Sequence, residues 1–464
     1  MLRCDVVVVG AGPAGEVAAG KLAGEGLNVA IVEDRLVGGE CSFWACMPSK
    51  ALLRPYEALQ EVRRIPGAAE AVTGGLDVGS LLARRDEIVH GLDDTSMLPW
   101  LEDRGIKLIR GHGRLCGERR VTVALHGGGT QELEAKRAVI LAGGTLPAMP
   151  PIPGLDEIDD KWTNRDSTIA KEIPESLAIM GGGVVGVEMA QAYASMGAKV
   201  ALIEGGRKLL PKEEWFACEQ VTESLEAQGV DVRRGRKAER VDRADGGAVR
   251  VVLDDGSSVE GATLLVAVGR TPQTEQLGLE DLGFGAGKYV EVDEHCQVPG
   301  HEWLYAIGDL NGRALFTHMG KYQARVACEH VLGRDRALAH GADGPLSPRV
   351  TFCDPQVAAV GHTTESAEEA GIDVEVVDVG TSANAGGSYY GRNAPGTSRL
   401  VIDRERGVVI GATFTGAEIA DFLHAATIAI VGEVPVARLR HAVPAFPTRS
   451  EIWLNLLEAA ETGR

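Results

Sequence analysis

The stretch Asp5-Val6-Val7-Val8-Val9-Gly10-Ala11-Gly12-Pro13-Ala14-Gly15 is a β-branched run that breaks into a glycine turn. The run suits a buried parallel strand. Gly10, Gly12 and Gly15 have the spacing Gly-x-Gly-x-x-Gly. A helix is predicted from about Pro13 to Gly26, followed by a second strand from Asn28 to Val32 that ends at Glu33. Strand, glycine turn, helix, strand and acid in that order form the dinucleotide fingerprint. The glycines let the backbone approach a pyrophosphate at the helix N-terminus, and Glu33 can hold a ribose diol. A lone fingerprint also suits a glycine turn with no ligand; the βαβ frame and the terminal acid favour the ligand.

The pattern then recurs. Val139 to Ala142 reads as a strand ending in Gly143, Gly144 and Thr145, and Pro147, Pro150, Pro151 and Pro153 mark a domain boundary. Beyond it, Leu177 to Met180 is a strand and Gly181, Gly183 and Gly186 form a second fingerprint, with Glu188 behind it. A helix reaches Gly197, and the strand Lys199 to Ile203 ends at Glu204. Two fingerprints imply two dinucleotides, hence an α/β chain with two Rossmann-like domains. Glu204 favours an unphosphorylated ribose, so NAD(H) over NADP(H), although Arg207 could accept a 2′-phosphate. Thr263 to Val268 and Trp303 to Gly308 are further strands. Asp309 follows the latter, as a site carboxylate or a helix cap. His318 suits a capping or core role. From about Arg349 short strands alternate with helices and read as an α+β domain with apolar surface enough for an oligomer interface.

Between the first strands and the boundary lies Gly38-Gly39-Glu40-Cys41-Ser42-Phe43-Trp44-Ala45-Cys46-Met47-Pro48-Ser49-Lys50. If helical, it places Cys41 and Cys46 about one turn apart, close enough to bridge. A thiol near a helix N-terminus is acidified, so the pair could cycle between disulfide and thiolate. Two small buried residues at a helix start would look the same. Composition narrows the class. The 464 residues carry 60 glycines, 5% aromatics and a net charge of -19, which disfavours a nucleic-acid partner. The eight cysteines show no regular framework of a secreted scaffold. No signal peptide is recognised and no apolar run approaches the length of a membrane span, so a cytoplasmic protein without a membrane partner is expected.

Together these residues resemble the pyridine nucleotide-disulfide oxidoreductases, the group of dihydrolipoamide dehydrogenase, glutathione reductase and mercuric reductase. The resemblance spans essentially the whole chain. It rests on Gly10-x-Gly12-x-x-Gly15 with Glu33, Cys41-x4-Cys46-x-Pro48-Ser49-Lys50, and Gly181-x-Gly183-x-x-Gly186-x-Glu188. Ala267-Val-Gly-Arg-Thr-Pro272, Tyr305-Ala-Ile-Gly-Asp309 and Phe446-Pro-Thr-x-x-Glu451 complete the set. It implies an FAD-binding domain over 1–150 that resumes at 273–345, an inserted NAD(P)-binding domain over 151–272 and a C-terminal dimerisation domain over 346–464. It places FAD phosphates at Gly10, Gly12 and Gly15, the adenosine ribose at Glu33, and Gly113 on the adenine side. Gly39, Gly143, Gly144 and Thr145 would line the FAD. Asp309 would hold the ribityl chain, and Leu315, Thr317 and His318 would lie beside the flavin ring. Lys50, paired with Glu188, would sit near flavin N5. Gly181, Gly183, Gly186, Glu188, Glu204 and Gly269 would contact the nicotinamide cofactor. By the same resemblance hydride passes from nicotinamide to flavin, and from there electrons reach the Cys41/Cys46 disulfide. Cys46 lies nearer the ring and Cys41 faces the substrate as interchange thiol. A homodimer is implied.

The chain departs from the family at its catalytic end. Disulfide reductases of this group carry His-Pro-Thr-x-x-Glu, in which the histidine trades protons with the interchange thiol. Here Phe446 takes that place before Pro447, Thr448 and Glu451. Phenylalanine has no proton to give, and positioned acid–base catalysis is worth roughly 10²–10⁴-fold in rate. His441 is nearby, but its spacing from Glu451 is wrong for the usual pair. In the redox stretch, Glu40 stands in place of a threonine and is expected to raise the Cys41 thiol. Phe43 and Trp44 suggest an aromatic substrate face, or plain packing. The C-terminal cysteine pair of mercuric reductases is missing, and no His/Cys metal cluster is found. The expected activity is transfer of electrons from NAD(P)H to a disulfide, a dithiol or another small acceptor. The alternatives are a quinone-type reductase and a redox-responsive flavoprotein binding subunit.

Overall fold

The structure, a computed structural model, describes residues 1–338, 340–391 and 394–462. The chain end Gly463-Arg464, read above for cysteines, lies outside them. The chain forms two compact units, each assembled from three stretches: Met1–Pro48, Asp86–Pro147 and Arg270–Pro345 in the first, and Ser49–Arg85, Ala148–Gly269 and Leu346–Arg464 in the second.

In the first unit the opening run becomes strand β1 (Leu2–Val9), followed by helix α1 (Pro13–Gly24) and strand β2 (Val29–Glu33). β1 pairs in parallel with β2, Val6 opposite Val29 and Val9 opposite Val32. Strands β3 (Lys107–Gly117), β4 (Arg120–Leu125) and β5 (Thr130–Leu141) form an antiparallel meander, and β5 returns to pair in parallel with β1. The strand His301–Ala306 joins the other side of β5. Period-two alternation between two buried faces explains the valine run Val6–Val9 in β1: Val7 and Val9 pack on one face of the sheet with Val139 and Leu304, and Val6 and Val8 on the other with Ala18 and Leu22. Pro13 occupies the first position of α1, where its missing N–H costs nothing. α1 packs on the helix Thr317–Val331 through small residues, Ala18 and Ala19 against Ala324, Ala327 and Cys328.

The second unit holds the repeat. A parallel sheet runs Thr263–Val266, Ser176–Met180, Lys199–Glu204, Asp231–Arg234, with a three-stranded meander (Ala238–Arg243, Val249–Leu253, Ser258–Gly261) beside it. A five-stranded antiparallel sheet follows in the order Arg349–Thr351, Gln356–Gly361, Val408–Gly416, Thr397–Asp403, Val374–Gly380. The helices Leu423–Val431 and Ile452–Thr462 pack on it. The fold is therefore the mixed α/β architecture expected, with a C-terminal α+β portion.

One local expectation fails. The redox stretch is not one helix: α2 (Gly39–Phe43) ends where Trp44 turns to φ -134°, and α3 (Cys46–Arg64) begins afresh at Cys46. Cys41 thus sits within a short helix and Cys46 opens a long one. No helix among the described residues is long and apolar enough to cross a membrane.

Candidate functional site

The two fingerprints are built alike. Gly10 and Gly181 have φ +105° and +108°, which a side chain would strain, and a Cβ on either would strike the carbonyl of Ala142 or Ala267. A Cβ on Gly15 or Gly186 would strike the carbonyl of its own first glycine, which fixes how tightly helix and strand pack. The middle glycines differ from these. A Cβ on Gly183 meets nothing within 4 Å, and one on Gly12 meets only Gly39 Cα at 4.0 Å. Space is thus left at the helix N-termini, where a pyrophosphate fits. The acids also match. Glu33 accepts from Ala11 N at 2.6 Å and Arg35 N at 2.7 Å, and Glu204 from Gly182 N at 2.6 Å and Gly206 N at 2.6 Å. Each carboxylate oxygen keeps a lone pair for a ribose hydroxyl. Burial outweighs the backbone donors at Glu33 and raises its carboxyl above the usual range. Gly113 lies under the first fingerprint, where a Cβ would come within 3.1 Å of Val9 and 3.2 Å of Val32.

The redox stretch starts on the first fingerprint. Gly39 has φ +59°, and a Cβ on it would sit 2.7 Å from Gly12 Cα. Only glycine permits this approach, and it seats α2, and so Cys41, against the first glycine turn. The Cys41 and Cys46 thiols are unbridged and within hydrogen-bonding reach of each other. Cys46 Sγ also lies 3.4 Å from Thr317 Oγ1, so it faces the first turns of both α3 and the helix Thr317–Val331. Two helix N-termini favour a thiolate there. The Cys41 thiol is held far above its ordinary value, first by sharing a hydrogen bond with Cys46 and then by burial; Thr317 and Lys321 pull it down.

Glu40 is paired with Arg270 Nη1 at 3.5 Å, and the leading causes of the raised Cys41 thiol are Cys46 and burial. Arg270 in turn donates to Thr145 Oγ1 at 2.8 Å and to Thr145 O at 2.7 Å, and Thr145 Oγ1 donates to Asp309 Oδ2 at 3.0 Å. Asp309 is therefore no helix cap, and burial raises its carboxyl despite Arg270 and Thr145. Gly144, at φ +70°, accepts from Gln273 N, and Gly143 adjoins Leu277. Leu315 and His318 are exposed, the latter stacked on Phe316. Phe43 is only 2% exposed and packs on Trp44, so it belongs to the core and not to a substrate face.

In the second unit Lys50 Nζ meets Glu188 Oε2 at 2.9 Å and Oε1 at 3.1 Å. Glu188 is 3% exposed and also accepts from Phe352 N at 2.9 Å, while the ammonium lies 4.8 Å from the Phe352 ring centroid. Gly269, at φ +139°, accepts from Ala148 N. Phe446 is 77% exposed, and His441 is exposed as well. Glu451 Oε2 accepts from Gly386 N at 3.2 Å. No group of three or more His, Cys, Asp or Glu able to hold a metal occurs among the described residues.

The reading by sequence missed two participants. Phe352, hundreds of residues from Lys50, gave no local signal. Arg270 was quoted within a motif without a partner; its counter-charge Glu40 was the clue.

Residues 4–329 match the model of the pyridine nucleotide-disulphide oxidoreductases, and residues 347–457 match the dimerisation domain of that family. The dihydrolipoyl dehydrogenase of Chlorobaculum tepidum is 33% identical over 460 residues, covering 96% of this chain and 95% of that protein. That of Mycobacterium tuberculosis is 32% identical over 461 residues, covering 97% of each. Among solved structures, the HOCl-induced flavoprotein disulfide reductase RclA from Escherichia coli, in its Cu(II) complex, superposes with a TM-score of 0.85 at 25% identity over 99% of both chains. LpdA from Mycobacterium tuberculosis shares the fold at a TM-score of 0.86, with 24% identity over 99% of this chain and 100% of that one. With paired nucleotide fingerprints, two adjacent thiols and a matching dimerisation domain, this chain belongs to the pyridine nucleotide-disulphide oxidoreductase family and is a dihydrolipoyl dehydrogenase-like flavoprotein oxidoreductase.

Proposed function

We propose that the chain works as a homodimer that binds FAD in the first unit, takes electrons from NADH in preference to NADPH, and delivers them through Cys41 and Cys46 to a small acceptor. The observation that carries this reading is the pair of neighbouring thiols beside the first fingerprint, one of them facing two helix N-termini. When bound, FAD supplies the two-electron carrier between nicotinamide and sulfur. The chain's own residues do the rest. Gly10, Gly12 and Gly15 leave room for the pyrophosphate, Glu33 orients the ribose, and Asp309 is held by Thr145 to meet the ribityl hydroxyls. Cys46 keeps a thiolate against the helix ends, and Cys41 is the sulfur offered to the acceptor. Glu188 fixes the Lys50 ammonium in place. Glu204, gripped at both oxygens by backbone N–H groups, supports a plain ribose, since a 2′-phosphate there would meet a carboxylate.

A disulfide is the acceptor favoured by the thiol pair. A quinone-type acceptor is the second reading; the exposed Phe446 where an acid–base group belongs supports it. Anaerobic titration of the FAD-loaded protein with NADH and with NADPH tests the central claim. Uptake of about four electrons per subunit is expected, for flavin plus disulfide. Uptake of about two would remove the sulfur pair from the reaction and favour a flavoprotein that passes electrons without thiols, or serves only to bind a partner.

A further inference from the structure

Asp309 is joined to the redox helix α2 by a chain of side chains. It lies in the turn Gly308–Asn311, whose ends are fixed by one group: Gln323 Oε1 accepts from Gly308 N at 2.8 Å and from Asn311 Nδ2 at 2.9 Å. The Asp309 carboxylate meets Thr145, which is buried and opens the short strand Thr145–Pro147, paired antiparallel with Arg270–Pro272. Arg270 grips Thr145 twice, through Nε to Oγ1 at 2.8 Å and through Nη2 to O at 2.7 Å. A threonine hydroxyl has one proton to give, and a guanidinium can only donate. With Arg270 on its oxygen, the hydroxyl turns its proton to Asp309 Oδ2, 3.0 Å away. The third guanidinium nitrogen, Nη1, lies 3.5 Å from Glu40 Oε1, and the two side chains are only 20% and 21% exposed. Glu40 belongs to α2 and directly precedes Cys41.

We propose that Arg270 is a positioning residue for FAD: its fork turns the Thr145 hydroxyl onto the carboxylate that receives a ribityl hydroxyl, with Glu40 of the redox helix as the counter-charge to its guanidinium. This rests on the reading of Asp309 as the ribityl-holding residue. The charges in the chain oppose one another. Burial raises the Asp309 carboxyl, Arg270 and then the Thr145 hydrogen bond draw it down, and Glu40 adds to the rise. Tyr289 also faces this turn: a Cβ on Gly312, whose N–H donates to Asp309 O, would come within 2.6 Å of the Tyr289 ring. A ribityl hydroxyl bonds an ionised carboxylate more strongly than a neutral acid. FAD is therefore held best above the pH at which Asp309 titrates, and is held less well as pH falls through it. Removing the Arg270 charge moves that fall to higher pH, and removing the Glu40 charge moves it to lower pH. A residue that only kept the strand pair together would not produce two opposite shifts.

The test is the rate at which FAD leaves the FAD-loaded protein, read as recovery of flavin fluorescence after dilution, from about pH 5 to about pH 8. Arg270→Met should quicken release about tenfold near pH 7 and bring the acid weakening in at higher pH. Arg270→Lys should restore the pH profile, since the charge returns, but not the full retention, since an ammonium lacks the fork. Glu40→Gln keeps an oxygen for Nη1 and should move the weakening to lower pH. Release that is no faster in Arg270→Met, or profiles that Arg270→Met and Glu40→Gln move the same way or not at all, overturns the inference alone. No bound FAD in the unaltered protein, or an Asp309→Asn variant that releases it no faster, overturns the reading of Asp309 and the inference with it. Should Arg270→Met fail to fold, Glu40→Gln decides: an unmoved profile overturns the inference.

Discussion

Removing the charge at Glu188 measures how firmly Lys50 is held. Breaking a fully buried ion pair costs about 3–5 kcal/mol, because it strands a charge in a medium of low dielectric. Glu188 is buried, but the Lys50 side chain is 34% exposed, so water takes up part of the ammonium's loss. Glu188→Gln also keeps an oxygen for Phe352 N–H. The expected loss is therefore about 2 kcal/mol for Glu188→Gln. Lys50→Met leaves a buried carboxylate with the Phe352 N–H as its remaining donor described here and should cost about 3 kcal/mol. If the pair acts as a unit, the double variant should be less damaged than the sum, with a coupling energy of about 1–2 kcal/mol. A chain of this length unfolds with an entropy near 1 kcal/mol per kelvin, so each single variant should lose about 2–3 °C in Tm at one fixed scan rate. Additive losses, with a coupling below about 0.3 kcal/mol, would refute the reasoning. They would mean that Lys50 is positioned by Phe352 and its own helix instead.

Two further outcomes are expected. Phe446→His should raise steady-state disulfide reduction by at least tenfold, short of the roughly 10²–10⁴-fold of a fully positioned base, because one Glu451 oxygen is already held by Gly386 N–H. No gain with lipoamide or glutathione disulfide would mean that the pocket, and not the missing imidazole alone, sets the acceptor. Glu16, in the first turn of α1, is raised chiefly by burial and gives a pH dependence of stability. Its carboxyl titrates near 7 in the folded chain and near 4.5 when unfolded, so between these values the folded state holds the extra proton and stability falls as pH rises. Glu16→Gln should abolish that slope and gain about 2 kcal/mol at pH 8, after discounting for the part of the side chain still open to water. Parallel Tm curves for both proteins from pH 4.5 to 8 would refute the assignment.

Much of this molecule is local in origin. A valine run, glycines at fixed spacing and a terminal acid are read together as strand, turn, helix and strand, and the last glycine of each turn answers a clash with the carbonyl of the first, whereas the first glycine answers Ala142 or Ala267 on a distant strand. That is why both glycine turns and both acids were legible from spacing. The Cys41/Cys46 pair was legible as chemistry but not as geometry. Its helix breaks at Trp44, and its start is seated by Gly39 against Gly12, a contact between segments that sequence spacing does not encode.

Charge partners were the least legible part. An acid or a lysine carries its type in the sequence but not the identity of what neutralises it, because electrostatic attraction acts through space and burial sets its strength. Glu40 finds a counter-charge in Arg270, brought over from 230 residues away by strand pairing with Thr145–Pro147. Glu188 needed the Phe352 N–H to complete its donors. Residue type and spacing thus determined the family, the two glycine turns with their acids and the neighbouring cysteines. Tertiary packing alone decided which distant side chains pair the charges, Arg270 for Glu40 and Lys50 for Glu188, and which helix brings Thr317 to Cys46, since those partners lie far apart in sequence.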